Sequence, residues 1–409
     1  MREELKNEEV LVVFGDVITR NRAAHIFKIV KILLGLGKKP IVLVSRATID
    51  ATNDLAKDLP RDAELLFLDS KKAVTDNAKS FLLKEWMLHL VQLLRLRNAV
   101  KSSKSVIVMG TLNLPVAIIA QLHGKKTYVF AGGFAYLIQK AQSVGYGGRN
   151  VLIKYIIGTI TYLIEALVML LANYIIVESK SIRNYIPLYC ALQRTLPNKV
   201  IDYGALFIDT QYFKPYIPID KKEEVVGYIG SLEHHRAVLE LILTFKIIAR
   251  LRTKTRFLII GSGPLFDDIN KMIEKDQVLK NRVTLLRYVP HKDIPYYMNQ
   301  IKVFVFLTRS EGLPNTILEA LASGCIVLST GIGGIPDIIK NGETGFLLQG
   351  ELEPKNIAKH IVSILDMPRE KLIVIYKKGR TCINHYFSIN SALRRWKRIL
   401  EISTQSDLK

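Results

Sequence analysis

Two carboxylates offer the most specific chemistry in the chain. Glu311 and Glu319 stand with seven residues between them, and the sequence changes character inside that gap. Gly312, Leu313 and Pro314 predict a tight loop, because glycine and proline punctuate and proline fixes φ. From Asn315 the apolar residues Ile317, Leu318, Leu321 and Ala322 recur at helical spacing, with Asn315 or Thr316 as the expected N-cap. Glu311 then precedes a helix N-terminus, and Glu319 sits about one turn inside the helix. An anion resting on the N–H groups of that terminus, with a carboxylate on each side to grip hydroxyls, suits a phosphorylated sugar. An ordinary surface helix can carry the same two glutamates, so the pair alone does not decide.

The continuation is more specific. Ala322-Ser323-Gly324, an apolar run over 325–328, Gly331-Ile332-Gly333-Gly334-Ile335-Pro336-Asp337 and Asn341-Gly342-Glu343-Thr344-Gly345 follow in order. They predict helix, buried strand and a second glycine loop. The whole string over 310–347 resembles the donor-binding signature of the retaining nucleotide-sugar glycosyltransferases of family 4, which have the GT-B fold. The resemblance implies an α/β chain with two Rossmann-like domains facing across a cleft. Residues 1–210 would form the acceptor domain, rejoined by a C-terminal helix at about 388–409, and 220–385 the donor domain. It implies a nucleotide-diphosphate sugar as donor substrate, a hydroxyl acceptor on a glycan or lipid-linked glycan, no cofactor and no metal.

By the same resemblance Glu311 contacts sugar hydroxyls near the reacting face and Glu319 grips the ribose, with Gly312, Leu313, Pro314, Asn315 and Thr316 lining the donor. Family members carry an arginine directly after the glycine that follows the first strand of this domain, and a lysine about five residues later. Here Gly230 is followed by Ser231, and Arg236 stands for the lysine. Gly261, Ser262 and Gly263, between a predicted strand and helix, fit either a phosphate-approach turn or a plain βα turn. N–H groups after Gly312 and near Gly334 would help Arg236 neutralise the leaving diphosphate. The mechanism most often proposed for the family is front-face displacement, the donor phosphate taking the acceptor proton; a covalent role for Glu311 is the variant.

The first domain departs from the family. A histidine often follows the fifth strand; this chain has Phe130-Ala131-Gly132-Gly133. The first loop, 15–25, carries Gly15, Arg20, Arg22 and His25, which suit either an anionic acceptor or a solvated helix start. His234 and His235 read as exposed turn residues, with no third ligand at metal-binding spacing.

Positioning these residues needs strands alternating with helices, and the chain supplies them. Strands are expected at 10–14, 40–45, 64–68, 105–109, 127–130, 174–178, 225–229, 256–260, 283–286 and 303–307. Helices are expected at 23–36, 78–96, 114–122, 151–171, 237–250, 264–273, 293–298, 354–365 and 391–402. Residues 204–215 read as the interdomain stretch, with a linker through Pro215, Pro218 and 220–224.

With 409 residues, 49% hydrophobic and 23% charged, the chain suits two globular domains. Its three cysteines form no C-x-x-C pair, which points to a reducing cytoplasm, and its first ten residues show no apolar signal segment. A formal +21 implies an anionic partner. No acidic residue occurs between Glu85 and Glu165, whereas nine basic ones do. Residues 151–177 are interrupted by Lys154 and Glu165, so neither uncharged run reaches the ~18–20 residues needed to span a bilayer. A buried or interfacial helix is expected there. The stripe over 81–104, with Trp86 and a basic collar, is either core-facing or interfacial. The expected setting is peripheral, on an anionic cytoplasmic membrane surface; no nucleic-acid-binding pattern is evident. A catalytically silent GT-B protein acting as a membrane-surface scaffold is the alternative, motivated by Ser231 and the missing histidine. A sugar-nucleotide epimerase would not need the Glu311–Glu319 helix.

Overall fold

The β-branched run before Gly15 forms the first strand, β1 (Glu9–Phe14), and is followed by α1 (Arg20–Gly35) and β2 (Lys39–Val44). The structure, a computed structural model, describes residues 8–14, 20–44, 59–67, 93–109, 113–131, 151–177, 179–181, 199–202, 207–309 and 311–405. The chain divides into two units: Met1–Leu206 with Ala392–Lys409, and Phe207–Ser391.

In the first unit β3 (Glu64–Phe67), α2 (Leu93–Ser102), β4 (Ser105–Met109), α3 (Leu114–Leu122), β5 (Lys126–Ala131), α4 (Val151–Leu171), β6 (Tyr174–Val177) and β7 (Val200–Ile201) complete the pattern. The seven strands are parallel, in the order β3-β2-β1-β4-β5-β6-β7. Their near-continuous apolar runs are what a sheet covered on both faces requires; β4 is buried at all five positions. Leu11, Val13, Val106 and Val108 pack with Leu96 and Ala99 of α2, Val116 and Ala120 of α3, and Val168 and Met169 of α4. These three helices therefore form one layer. The order reverses between β1 and β4, so right-handed crossovers send α1 to the opposite face. There Ile26, Ile29 and Leu33 are buried.

In the second unit β8 (Val225–Ile229), α5 (Val238–Leu251), β9 (Arg256–Ile260), α6 (Phe266–Lys275), β10 (Val283–Leu286), α7 (Ile294–Gln300), β11 (Val303–Phe306), α8 (Asn315–Ala322), β12 (Ile326–Ser329) and β13 (Phe346–Leu347) lead to α9 (Pro354–Leu365) and α10 (Arg369–Tyr386); α11 (Ile389–Gln405) starts in this unit and from Ala392 belongs to the first. The sheet is again parallel, in the order β10-β9-β8-β11-β12-β13. Its reversal lies between β8 and β11, and in open α/β sheets such a switch point opens a crevice beyond the carboxyl ends of the strands.

Three details differ from expectation. Helix α10 has no counterpart among the expected elements, because Ile373 and Val374 lie off its stripe and the stripe includes a glycine, Gly379. Its buried residues Leu372, Ile375, Gly379 and Ile383 nonetheless fall on one helical face. Gly379 is there for contact: a Cβ would meet the Thr344 carbonyl oxygen at 2.9 Å and Leu321 at 3.0 Å. Helix α2 continues to Ser102, six residues beyond the expected end; residues 78–92 lie outside the described residues. The stretch read as interdomain is stitched to the second unit from Phe207 onward. Ile208 donates its N–H to the Phe387 carbonyl at 2.7 Å, and Asn299 Oδ1 accepts from the Tyr216 N–H at 2.6 Å.

Candidate functional site

Strands β8 and β11 flank the switch point, and each delivers one charged side chain. Past β8, residues 231–233 lead into a single 3-10 turn, His234–Arg236. The turn is pinned to the end of β11: the Arg309 N–H donates to the His235 carbonyl at 2.8 Å, and the Arg309 guanidinium donates to the His234 carbonyl at 2.9 Å and pairs with Glu240. Ala237 closes the turn at φ +48, the only non-glycine residue with positive φ among those described. A left-handed alanine costs about 1 kcal/mol or more, and the strain falls on the residue after Arg236.

Arg236 is thereby aimed at Glu311. The two side chains form an ion pair, each only 16% exposed. The guanidinium lies over the Phe306 ring, 5.0 Å from its centroid, and Phe306 stacks against Tyr228. A desolvated cation over an aromatic face gains roughly 1–2 kcal/mol. Burial lowers the Arg236 pKa, opposed by the charges of Tyr228 and Glu233, yet a guanidinium stays protonated throughout the physiological range. Its Nε–H is buried with no hydrogen-bond partner, so the cation has donor capacity in reserve. The neighbouring Glu233 carboxyl is held below its usual range, chiefly by its hydrogen bond with His235 at 3.2 Å. That accounts for His235 as half of a turn-stabilising pair.

Glu311 is held by the glycine loop after β12. The Gly334 N–H donates to the Gly312 carbonyl at 2.7 Å, and Gly333 has φ +63; a Cβ there would lie 2.0 Å from the Glu311 carbonyl oxygen. The Gly312 N–H donates to Glu311 Oε1 at 3.1 Å. The Gly312 and Gly334 N–H groups are thus both engaged within the loop. One correction concerns the cap. Pro314, in extended conformation, occupies the N-cap position without a side-chain bond, Asn315 is the first helical residue and Thr316 the second. Leu313 is buried beneath that start.

Glu319 lies in the second turn of α8 and is 7% exposed. Its Oε1 is 3.1 Å from Nε2 of His291, a residue the sequence reading did not single out; His291 precedes Glu319 by 28 positions, so no local pattern joins them. Phe306 and Tyr228 were missed for another reason: alternating strand residues read as core. Gly261 and Gly263 have a packing explanation. A Cβ at Gly261 would sit 1.9 Å from the Gly230 carbonyl oxygen, and one at Gly263 2.5 Å from that of Leu232, while the Leu232 N–H donates to Ser262 at 2.9 Å. The two βα turns are thus locked backbone to backbone, with Ser231 between them accepting the Tyr228 hydroxyl proton on its carbonyl at 2.6 Å.

In the first unit Gly15, Gly132 and Gly133 lie outside the described residues, and Arg20, Arg22 and His25 fall in the opening turns of α1. Beyond β4 and β6 the structure adds two polar groups not anticipated. Asn113 is 1% exposed with Oδ1 unpartnered, and Ser179 is fully buried with Oγ unpartnered. Among the described residues no group of three His, Cys, Asp or Glu side chains is placed to hold a metal ion, and no helix is long and apolar enough to cross a membrane.

Comparison with known proteins bears on this geometry. Residues 209–381 match the family model described as Glycosyl transferases group 1. The capsular polysaccharide biosynthesis glycosyltransferase CapM of Staphylococcus aureus is 30% identical over 219 residues, covering 51% of this chain and 56% of that protein. The UDP-Gal:alpha-D-GlcNAc-diphosphoundecaprenol alpha-1,3-galactosyltransferase of Escherichia coli is 28% identical over 207 residues, 48% of this chain and 51% of that protein. The chain thus spans about half the length of these two curated relatives. Among solved structures, Anabaena Alr3699/HepE in complex with UDP superposes with a TM-score of 0.71 at 13% identity, covering 96% of this chain and 99% of that one. Sucrose-phosphate synthase from Thermosynechococcus elongatus gives 0.72 at 14%, covering 98% and 100%. The chain has the GT-B fold, two Rossmann-like α/β units, and the group 1 glycosyl transferase match lies in the second of them.

Proposed function

We propose that the protein is a retaining glycosyltransferase of family 4 that moves a hexosyl-type group from a nucleotide-diphosphate sugar to a hydroxyl acceptor. The observation that carries this reading is the buried Arg236–Glu311 pair beyond the carboxyl ends of β8 and β11, with Glu319 in the second turn of the helix that follows. A diphosphate leaving group needs a preorganised cation, and Arg236 provides one whose reserve Nε–H is unspent. On arrival of donor the phosphate takes over the guanidinium, and Glu311 is released to the sugar hydroxyls. Glu319, backed by His291, receives the ribose hydroxyls. The donor phosphate then accepts the proton of the attacking hydroxyl as the sugar–phosphate bond breaks, on the face where the new bond forms. The charge is handled without a resident metal.

The acceptor side is assigned to the first unit, where Asn113 Oδ1 and Ser179 Oγ present unsatisfied buried polar atoms beyond β4 and β6. A polar acceptor would satisfy both. The UDP in the Anabaena structure supports a nucleotide-sugar donor, and the diphosphoundecaprenol in the name of the E. coli relative supports a lipid-linked acceptor. The formal charge of +21 is the reason to set the enzyme at an anionic membrane surface, on the cytoplasmic side.

The test is nucleotide-diphosphate release from a panel of UDP-, GDP- and ADP-sugars with lipid-linked acceptors, with the product anomer read by NMR. Retained configuration is expected; inversion contradicts the mechanism. Ser231, standing where relatives carry an arginine, favours a second reading, a silent GT-B scaffold. Absence of turnover with every donor, together with intact nucleotide binding, would establish that reading instead.

A further inference from the structure

Helix α4 is apolar on two opposite faces, and only one of them is used by the core. Val168 and Met169 face the sheet, together with the buried Glu165. On the other side Ile160, Leu163, Leu167 and Leu170 are 52%, 56%, 49% and 55% exposed. Their spacing of three, four and three residues places all four on one stripe. A helix that is apolar all round is normally buried all round, so this stripe calls for a cover.

The stripe does not stand alone. Helices α2 and α3 lie in the same layer, α3 beside α4 and α2 beside α3. Their outward side chains include Leu94, 73% exposed, Ile118 and Leu122, 79% exposed. Around them the exposed charge is mostly basic. Arg95, Arg97 and Lys101 are exposed on α2, Lys104 just after it is paired with Glu8, and Lys199 reaches the end of α4, donating to the Leu170 carbonyl at 2.8 Å. No carboxylate occurs in sequence between Glu85 and Glu165, and Glu165 points inward.

We propose that the outer face of α2, α3 and α4 docks on an anionic lipid bilayer, with the α4 stripe entering the headgroup–acyl boundary and the α2 basic residues meeting lipid phosphates. This deepens the reading of a membrane-surface enzyme given above by naming the face. A leucine stripe lying parallel to the surface gains from burial in the interface, while the flanking lysines and arginines gain from the surface potential. A second copy of the chain is a poorer cover: self-pairing of this face would bring the Arg95, Arg97 and Lys101 cations of two copies toward one another. The stripe also explains why α4 is long and apolar without crossing a membrane.

Co-sedimentation with phosphatidylcholine vesicles and with vesicles containing about one-third phosphatidylglycerol tests this, with the full chain at low and high salt. Wild type should partition at least tenfold better onto the anionic vesicles, the advantage shrinking in high salt. The L163D/L167D variant, altered only at exposed positions, should lose at least tenfold in partitioning while its circular dichroism and melting temperature stay unchanged. A Leu167→Trp variant should add blue-shifted emission on vesicle addition. Should L163D/L167D bind as wild type does, the face is wrong although the surface reading stands. Should wild type bind neither vesicle, both fall. A dimer in sedimentation velocity that L163D/L167D converts to monomer would assign the face to self-association and overturn the proposal.

Discussion

At the residue scale the chemistry turns on two carboxylates whose places in loop and helix are legible in the sequence and whose surroundings are not. The loop position of Glu311 and the helical position of Glu319 follow from Gly312, Pro314 and the apolar spacing after Asn315. What the sequence hides is that Arg236 reaches Glu311 across 75 positions and rests on Phe306. A long-range ion pair leaves no periodic trace, and a strand phenylalanine looks like any other core residue. Glu319→Ala removes the charged hydrogen bonds assigned to the ribose, so nucleotide affinity should fall about 10- to 100-fold by isothermal titration calorimetry. Glu311→Ala should reduce kcat by on the order of 10²–10³ while nucleotide affinity and the fold are kept. Arg236→Lys keeps the charge but loses the planar fork and the face-on contact with Phe306, and should behave much like a truncation in kcat/KM assays.

At the element scale, short βα units place these residues, and their ends are tied together by buried polar groups. Lys222 is the clearest. Only 5% exposed, its ammonium donates to the Ile301 carbonyl at 2.9 Å and those of Met298, Gly324 and Ser323 at 3.3, 3.3 and 3.4 Å, so one cation caps the C-terminal ends of α7 and α8. Burial lowers its pKa. The unfolded chain therefore holds the proton more tightly, and this group's contribution to stability rises as pH approaches the ordinary lysine range. Lys222→Met should leave those carbonyls unsatisfied and destabilise the protein by about 2–4 kcal/mol in urea melts. The sequence showed Lys222 only as one charge in a presumed linker, because a linker lysine and a buried helix clamp share a local pattern. Gly333 is a similar case: glycine richness was visible, but its reason, the approach to the Glu311 backbone, belongs to tertiary structure. Gly333→Ala should displace Glu311 and lower activity more than Gly342→Ala, since a Cβ at Gly342 meets nothing within 4 Å although both have positive φ.

At the scale of the whole molecule, parallel sheets covered on both faces were legible, since alternating strands and helices dictate little else; the order of the strands, with one reversal in each sheet, was not. Helix α10 was not, because its stripe is diluted by lysines and a contact glycine. Each unit has its own polar staples, and one reports on pH. The carboxyl of Glu224 is held below its usual range chiefly by the hydrogen bond with Arg252 at 2.8 Å, with Thr255 at 3.0 Å in support. As pH falls the unfolded state takes up this proton first, so the contribution is complete above the ordinary glutamate value and lost through the folded one. Glu224→Gln should lower stability by roughly 1 kcal/mol at pH 7, with the difference from wild type shrinking once the pH falls below about 4 and gone below the folded value. A gap that persisted at low pH would assign the effect to packing.

The central claim is that the Arg236–Glu311 pair opens onto a nucleotide-diphosphate sugar. Its most direct test is nucleotide-diphosphate release, measured for wild type and Glu311→Ala across the panel of UDP-, GDP- and ADP-sugars with acceptor present. Wild type should turn over at least one donor and transfer the sugar to acceptor with retained configuration, and the variant should lose turnover with the nucleotide still bound. Turnover that is unaffected by the loss of Glu311 would contradict it.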